Sequence, residues 1–198
     1  MWPSCGTPES SRPATDPYRY VVTYRMIILN GGSSSGKSSI ARALQESLPD
    51  PWLALGVDDL IDASPTWLTD GGDGLGFGAD GSVTAGADFK ALNKAWDAGI
   101  VTMAREGARI ILDEVFLRGG ESQREWLKLL AGLPVLWVGV RCPAEVAEAR
   151  EASRGDRIAG MAAMQADTVH VGMAYDVVVD TSATSAVDAA AQIAAALN

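Results

Sequence analysis

Met26-Ile27-Ile28-Leu29-Asn30-Gly31-Gly32-Ser33-Ser34-Ser35-Gly36-Lys37-Ser38 passes from an unbroken apolar run to glycine, serine and lysine. A short apolar run ending in glycine has the form of a strand buried on both faces of a parallel sheet. Beyond Lys37, Ile40, Leu44 and Leu48 recur at helical spacing until Pro49 and Pro51 stop the helix. The turn between strand and helix satisfies G-x-x-x-x-G-K-[ST] in full. Glycine lets such a loop curl until its backbone N–H groups face phosphate oxygens. Lys37 then reaches the outer phosphates, and the Ser38 hydroxyl joins the shell of a Mg²⁺ ion. A chance glycine- and serine-rich turn would lack the strand directly before it and the amphipathic helix directly after it. Gly31, Gly32, Ser33, Ser34, Ser35, Gly36, Lys37 and Ser38 are therefore read as a nucleotide-binding loop.

Working outward, Trp52 to Val57 reads as a second strand ending at Asp58-Asp59, expected beside the nucleotide-binding strand. Ala108 to Leu112 is a third, ending at Asp113-Glu114; Val135 to Val140 a fourth, ending at Arg141; Asp176 to Val179 the last. Helical stretches separate them. Phe89, Leu92, Trp96, Ile100 and Met103 form one apolar stripe, Ser122 to Leu130 and Glu145 to Glu151 follow, and another segment carries Met161, Met164, Thr168 and Val171. A final alanine-rich helix opens near Ser185, with Asp188 completing a capping box. Strands alternating with helices imply right-handed crossovers and a parallel sheet covered on both faces. The expected fold is α/β: a three-layer P-loop kinase with a mainly parallel five-stranded sheet and a small arginine-containing lid. From Ser64 to Asp88 glycine, aspartate and threonine dominate, and this stretch is expected to be a long surface excursion. Residues 1–25 hold Pro3, Pro8, Pro13 and Pro17 and no apolar signal-peptide core, so a disordered leader is expected before a single domain over 26–198.

Ligands of such sheets gather beyond the C-terminal strand ends. Asp113, closing an apolar strand, is the candidate to hold Mg²⁺ beside Ser38. Glu114 could polarise a water or orient neighbouring groups. Asp58 is the candidate carboxylate to accept or align the proton of an acceptor hydroxyl; for Asp58 and Asp59 alike the alternative is a helix cap before Leu60-Ile61. Arg154 and Arg157, around Gly155-Asp156, are candidates for a cationic lid over the charge that develops in phosphoryl transfer. Arg150 reads as a surface or hinge cation. No N/T-K-x-D element follows the fourth strand, which leaves ATP rather than GTP as the donor.

A net charge of −9 over 198 residues makes a nucleic-acid partner a poor match, while leaving room for a local phosphate site. A single histidine, His170, excludes a His-rich metal centre. Cys5 and Cys142 match no metal or redox spacing, and Cys142 is expected to be a buried thiol. No apolar run is long enough to span a bilayer, and a cytoplasmic protein with no membrane partner is expected. The oligomeric state is not encoded in any of these features.

Five segments taken in order resemble chloramphenicol phosphotransferase: Ile-Ile-Leu-Asn-Gly-Gly-Ser-Ser-Ser-Gly-Lys-Ser at 27–38, Pro-Trp-Leu-Ala-Leu-Gly-Val-Asp-Asp-Leu-Ile-Asp at 51–62, Leu-Trp-Val-Gly-Val-Arg-Cys at 136–142, Arg-Gly-Asp-Arg-Ile-Ala-Gly-Met-Ala-Ala at 154–163, and Tyr-Asp-Val-Val-Val-Asp-Thr at 175–181. The resemblance runs from Met26 to the C-terminus. It implies ATP-dependent phosphorylation of the antibiotic's primary hydroxyl, which inactivates the drug. It also implies Asp58 as catalytic base, and Arg157 with Arg154 as lid cations. Glu114 stands where the resemblance leads one to expect Asp, and the 64–88 excursion departs from it. A kinase for another hydroxylated metabolite, and a P-loop ATPase or switch without an acceptor, share the same phosphate-binding residues.

Overall fold

Every residue of the first strand, β1 (Met26–Asn30), is buried, as a strand sandwiched between two helical layers must be. The computed structural model describes residues 23–69, 73–78, 81–154 and 160–197. In chain order, β1 is followed by α1 (Lys37–Ser47), β2 (Trp52–Gly56), α2 (Val57–Ala63) and α3 (Thr66–Thr69). Then come β3 (Leu75–Phe77), β4 (Val83–Ala85), α4 (Ala87–Arg105), β5 (Arg109–Glu114) and α5 (Gly120–Leu129). The chain closes with β6 (Val135–Arg141), α6 (Ala144–Arg154), α7 (Met161–Thr168), β7 (Val177–Asp180) and α8 (Ala186–Ala195).

Five strands form one sheet in the order β2-β5-β1-β6-β7, with every pairing parallel. The second strand was expected beside the first. Instead β5 lies between them, with Asn30 level with Glu114 and Gly56 level with Asp113. Alternation along β1 divides its side chains between two cores. Ile27 and Leu29 pack with Ile40, Leu44 and Ile193 of α1 and α8, while Met26 and Ile28 pack with Ile100, Val101 and Trp126 of α4 and α5. Both helical layers predicted from the sequence are present. Among the described residues no helix is long and apolar enough to cross a membrane.

Three details depart from the sequence reading. The excursion at 64–88 contains α3 and an antiparallel β3–β4 hairpin, and its Leu68 and Leu75 close a third core with Leu60 and Phe89. These apolar residues are too widely spaced to show a period, and only tertiary packing brings them together. On α4 the buried face is Phe89, Ile100, Val101 and Ala104, whereas Leu92 and Met103 are exposed. Met164 and Val171 are exposed as well. The expected leader lies outside the described residues up to Val22. Its final residue, Arg25, is held by backbone hydrogen bonds, donating to Pro134 and accepting from Ile110. Ser185 caps α8 as predicted, its hydroxyl accepting from the Asp188 amide at 3.1 Å. Cys142 is a buried free thiol.

One polar side chain joins the sheet to what lies above it. Asn30 is fully buried; its Oδ1 accepts from the Phe116 amide at 3.0 Å, and its Nδ2 donates to Val169 O at 2.8 Å and Tyr175 Oη at 2.7 Å. Tyr175 Oη also meets His170 Nδ1 at 2.7 Å. Burial, reinforced by the charge of Arg141, lowers the His170 pKa to about 4. Burial raises that of Tyr175.

Asn30→Leu keeps the branched shape and strands the Phe116 N–H and Val169 carbonyl, so it is expected to cost about 2–5 kcal/mol in urea unfolding. A loss under about 1 kcal/mol would show that the loops do not depend on it. His170 supplies a pH test. Its pKa is 6.5 unfolded and about 4 folded, so the unfolded chain binds the proton first as pH falls. Its contribution is complete above pH 6.5 and is lost as pH falls towards 4. Unfolding titrations at several pH values should therefore show a wild-type slope across this window that is shallower in His170→Gln, and equal slopes would contradict a neutral buried imidazole.

Candidate active site

The turn after β1 is bent by two left-handed residues, Ser34 with φ 57° and Gly36 with φ 95°. A side chain at Gly36 would be strained there, and one at Gly31 would meet Val140 O at 2.5 Å, so the loop's glycines are geometric requirements. The hydroxyls of Ser33, Ser34 and Ser35 are buried without a hydrogen-bond partner among the described residues. Unpaired buried donors of this kind in a curled backbone at the start of α1 suit an anion such as phosphate.

Lys37 is buried, donates to Gly32 O at 3.1 Å and lies 3.6 Å from Asp113 Oδ1. Ser38 Oγ donates to Asp113 Oδ2 at 2.6 Å. The Walker pair predicted from residues 75 positions apart is thus in direct contact, because β5 runs beside β1 and ends at the loop. Among the described residues no three His, Cys, Asp or Glu side chains gather as a protein-only metal cage. The hydroxyl–carboxylate pair Ser38–Asp113 fits a Mg²⁺ ion that completes its shell with nucleotide phosphates and water.

Asp58 and Asp59 both line the cleft, and Asp59 also caps a helix. Asp59 Oδ2 accepts from the Gly56 amide at 2.7 Å and caps α2. Asp58, in the same first turn, is exposed and lines the cleft that holds Lys37, Ser38 and Asp113. Arg154 is the last residue of α6, and its side chain, like Arg157 and the rest of the expected lid at 155–159, lies outside the described residues.

Sequence reading missed the groups that brace the loop. Gln165 Oε1 on α7 accepts from the Ser33 amide at 2.8 Å. Thr181 Oγ1, just past β7, donates to Ser35 O at 2.7 Å. Arg150, read as a surface or hinge cation, donates to Thr181 O at 2.7 Å and stands 3.5 Å from Cys142 Sγ. No local motif marks these three; each acts across a long stretch of chain.

The cleft measures about 1800 Å³ and continues beyond the loop towards the β3–β4 hairpin and α4. Glu114, at the end of β5, has its pKa raised to about 8, chiefly by burial and then by the nearby charge of Asp97. Burial raises Asp97 to about 7.

The chain matches the family described as "Chloramphenicol phosphotransferase-like protein" over residues 24–198. A curated protein of Mycobacterium tuberculosis (strain H37Rv), named "Putative O-phosphotransferase Rv2636", is 31% identical over 179 residues, covering 81% of this chain and 76% of that protein. Among solved structures, a tunicamycin resistance protein of Deinococcus radiodurans superposes with TM-score 0.59 at 19% identity, over 87% of this chain and 94% of that one. A shikimate kinase of Acinetobacter baumannii superposes with TM-score 0.56 at 16% identity, over 90% and 95% of the two chains. At these identities the structural matches speak to the fold alone. The family match spans the sheet, the phosphate loop and the bracing residues together, and the chain belongs to the chloramphenicol phosphotransferase-like family of P-loop phosphotransferases.

Proposed function

We propose that the protein transfers the γ-phosphoryl group of ATP to the primary hydroxyl of chloramphenicol, inactivating the antibiotic. The observation that carries this reading is the position of Asp58. It lines the cleft that also holds Lys37, Ser38 and Asp113. Family membership supports the reaction class.

The acceptor hydroxyl oxygen attacks the γ-phosphorus, its proton passes to an Asp58 oxygen, and the bond to the β,γ-bridging oxygen breaks, leaving ADP. Residues 31–38 hold the phosphates through backbone amides, and Lys37 spreads its charge over the outer ones. Ser38 and Asp113 would hold Mg²⁺, which when bound neutralises charge on the β- and γ-oxygens. Arg154 and Arg157 act in this reading as lid cations that exclude water from the transferring group. The partner is a small molecule, with no role for nucleic acid or membrane, and the reaction suits a cytoplasmic setting where ATP is available.

The direct test is transfer of label from γ-labelled ATP to chloramphenicol. ATP consumed without labelled product would favour the ATPase reading, and label on another hydroxylated metabolite would move the acceptor. Lys37→Ala is expected to fold normally yet lose most turnover, because backbone donors alone do not replace a mobile ammonium at the phosphates. Unchanged turnover in the folded variant would remove the loop from the mechanism. Asp58→Asn keeps shape but loses basicity, so nucleotide affinity by calorimetry should hold while transfer falls at least about a hundredfold. If binding and transfer collapse together, Asp58 holds metal or structure instead.

A further inference from the structure

Beside the groups that handle phosphate, the same cleft holds carboxyl groups to which the proposed transfer step assigns no role. Asn93 and Asp97 lie one turn apart on α4 and both line it, as does Glu114 at the end of β5. Glu114 is only 8% exposed. Its Oε2 accepts a long bond from its neighbour Val115 at 3.3 Å, and among the described residues no donor reaches its Oε1. Asp97 Oδ2 accepts from Asn93 Nδ2 at 3.1 Å, whereas its Oδ1 is buried and unpaired among the described residues. Neither carboxyl forms a salt bridge among those residues.

A buried carboxyl oxygen without a donor is costly, by several kcal/mol on transfer scales, and such groups ordinarily find partners. These two open onto a large cleft, where a bound molecule can supply the missing N–H or O–H. The wall contributed by the β3–β4 hairpin and the start of α4 is different. Leu75, Phe77, Val83, Ala85 and Phe89 line the cleft there and offer no donors from their side chains. The acceptor half is thus apolar along the hairpin, while α4 brings Asn93 and Asp97 together with the ammonium groups of Lys90 and Lys94.

We infer that Asp97 and Glu114 form an acceptor-specificity subsite, which receives N–H or O–H donors of the acceptor other than its reacting hydroxyl. The molecule it selects is an alcohol with an apolar body and a second donor, such as an amide N–H or a further hydroxyl. A simple aromatic alcohol leaves the two carboxyls unpaired. This inference rests on the reading of the cleft as a phosphoryl-acceptor site.

The experiment measures kcat/KM for transfer from labelled ATP to two primary alcohols: chloramphenicol, which has two further donors, and 3-phenylpropan-1-ol, which has none. Wild type should prefer chloramphenicol over 3-phenylpropan-1-ol by at least about tenfold, from one or two hydrogen bonds. Asp97→Asn should shrink that preference mostly through the chloramphenicol KM, leaving the KM for ATP and the rate with 3-phenylpropan-1-ol within about threefold. Glu114→Gln is the second variant, should Asp97→Asn fold poorly. An unchanged preference in both folded variants overturns the subsite while the phosphotransferase stands. If wild type consumes ATP but labels neither alcohol, the acceptor reading fails, and calorimetry with chloramphenicol decides the subsite separately. Weaker binding to Asp97→Asn than to wild type supports it there, and equal or absent binding overturns it.

Discussion

The carboxamide of Asn30 is the interaction on which the rest of the site depends. It sits at the last position of the central strand, with no exposure, immediately before the glycines of the phosphate loop. From there it fixes the loop after β5, the end of α7 and the tyrosine before β7. A buried amide is tolerable only when its donors and acceptor are satisfied, and here each partner comes from a different segment. The three segments carry, respectively, Glu114, Gln165 and Thr181 close to their junctions with the hub. The active-site residues are therefore placed by a polar hub rather than by the apolar layers alone, which on their own would accept several registers of packing.

Much of the framework was legible because it is local. The apolar run at 26–30, the glycine–lysine turn and the helical spacing of Ile40 and Leu44 are contiguous, and the Walker contact between Ser38 and Asp113 followed from two strand ends. What escaped reading is non-local. Nothing in the Leu68 and Leu75 neighbourhood announces a hairpin that closes a third core, since its strands are three residues each. The place of β2 at the sheet edge depends on a crossover that skips a position, which periodicity does not encode. Asp58 and Asp59 are equivalent in sequence, and only the 2.7 Å bond from the Gly56 amide marks Asp59 as the helix cap.

The acceptor half of the cleft shows a tension that the hydrophobic layers do not. Burying Glu114 and Asp97 works against folding, and both carboxyls respond by holding their protons more tightly than free carboxyls do. The well-packed cores around β1 offset that cost.

The bracing of the phosphate loop has a consequence for how the protein comes into being. The loop is among the first parts of the domain to leave the ribosome, yet its Ser33 amide and Ser35 carbonyl are held by Gln165 and Thr181, 132 and 146 residues later. A nascent chain carries the complete Walker motif long before it carries the groups that give the motif its shape. The loop therefore does not reach the shape described here until α7 and the segment just past the last strand have docked against it.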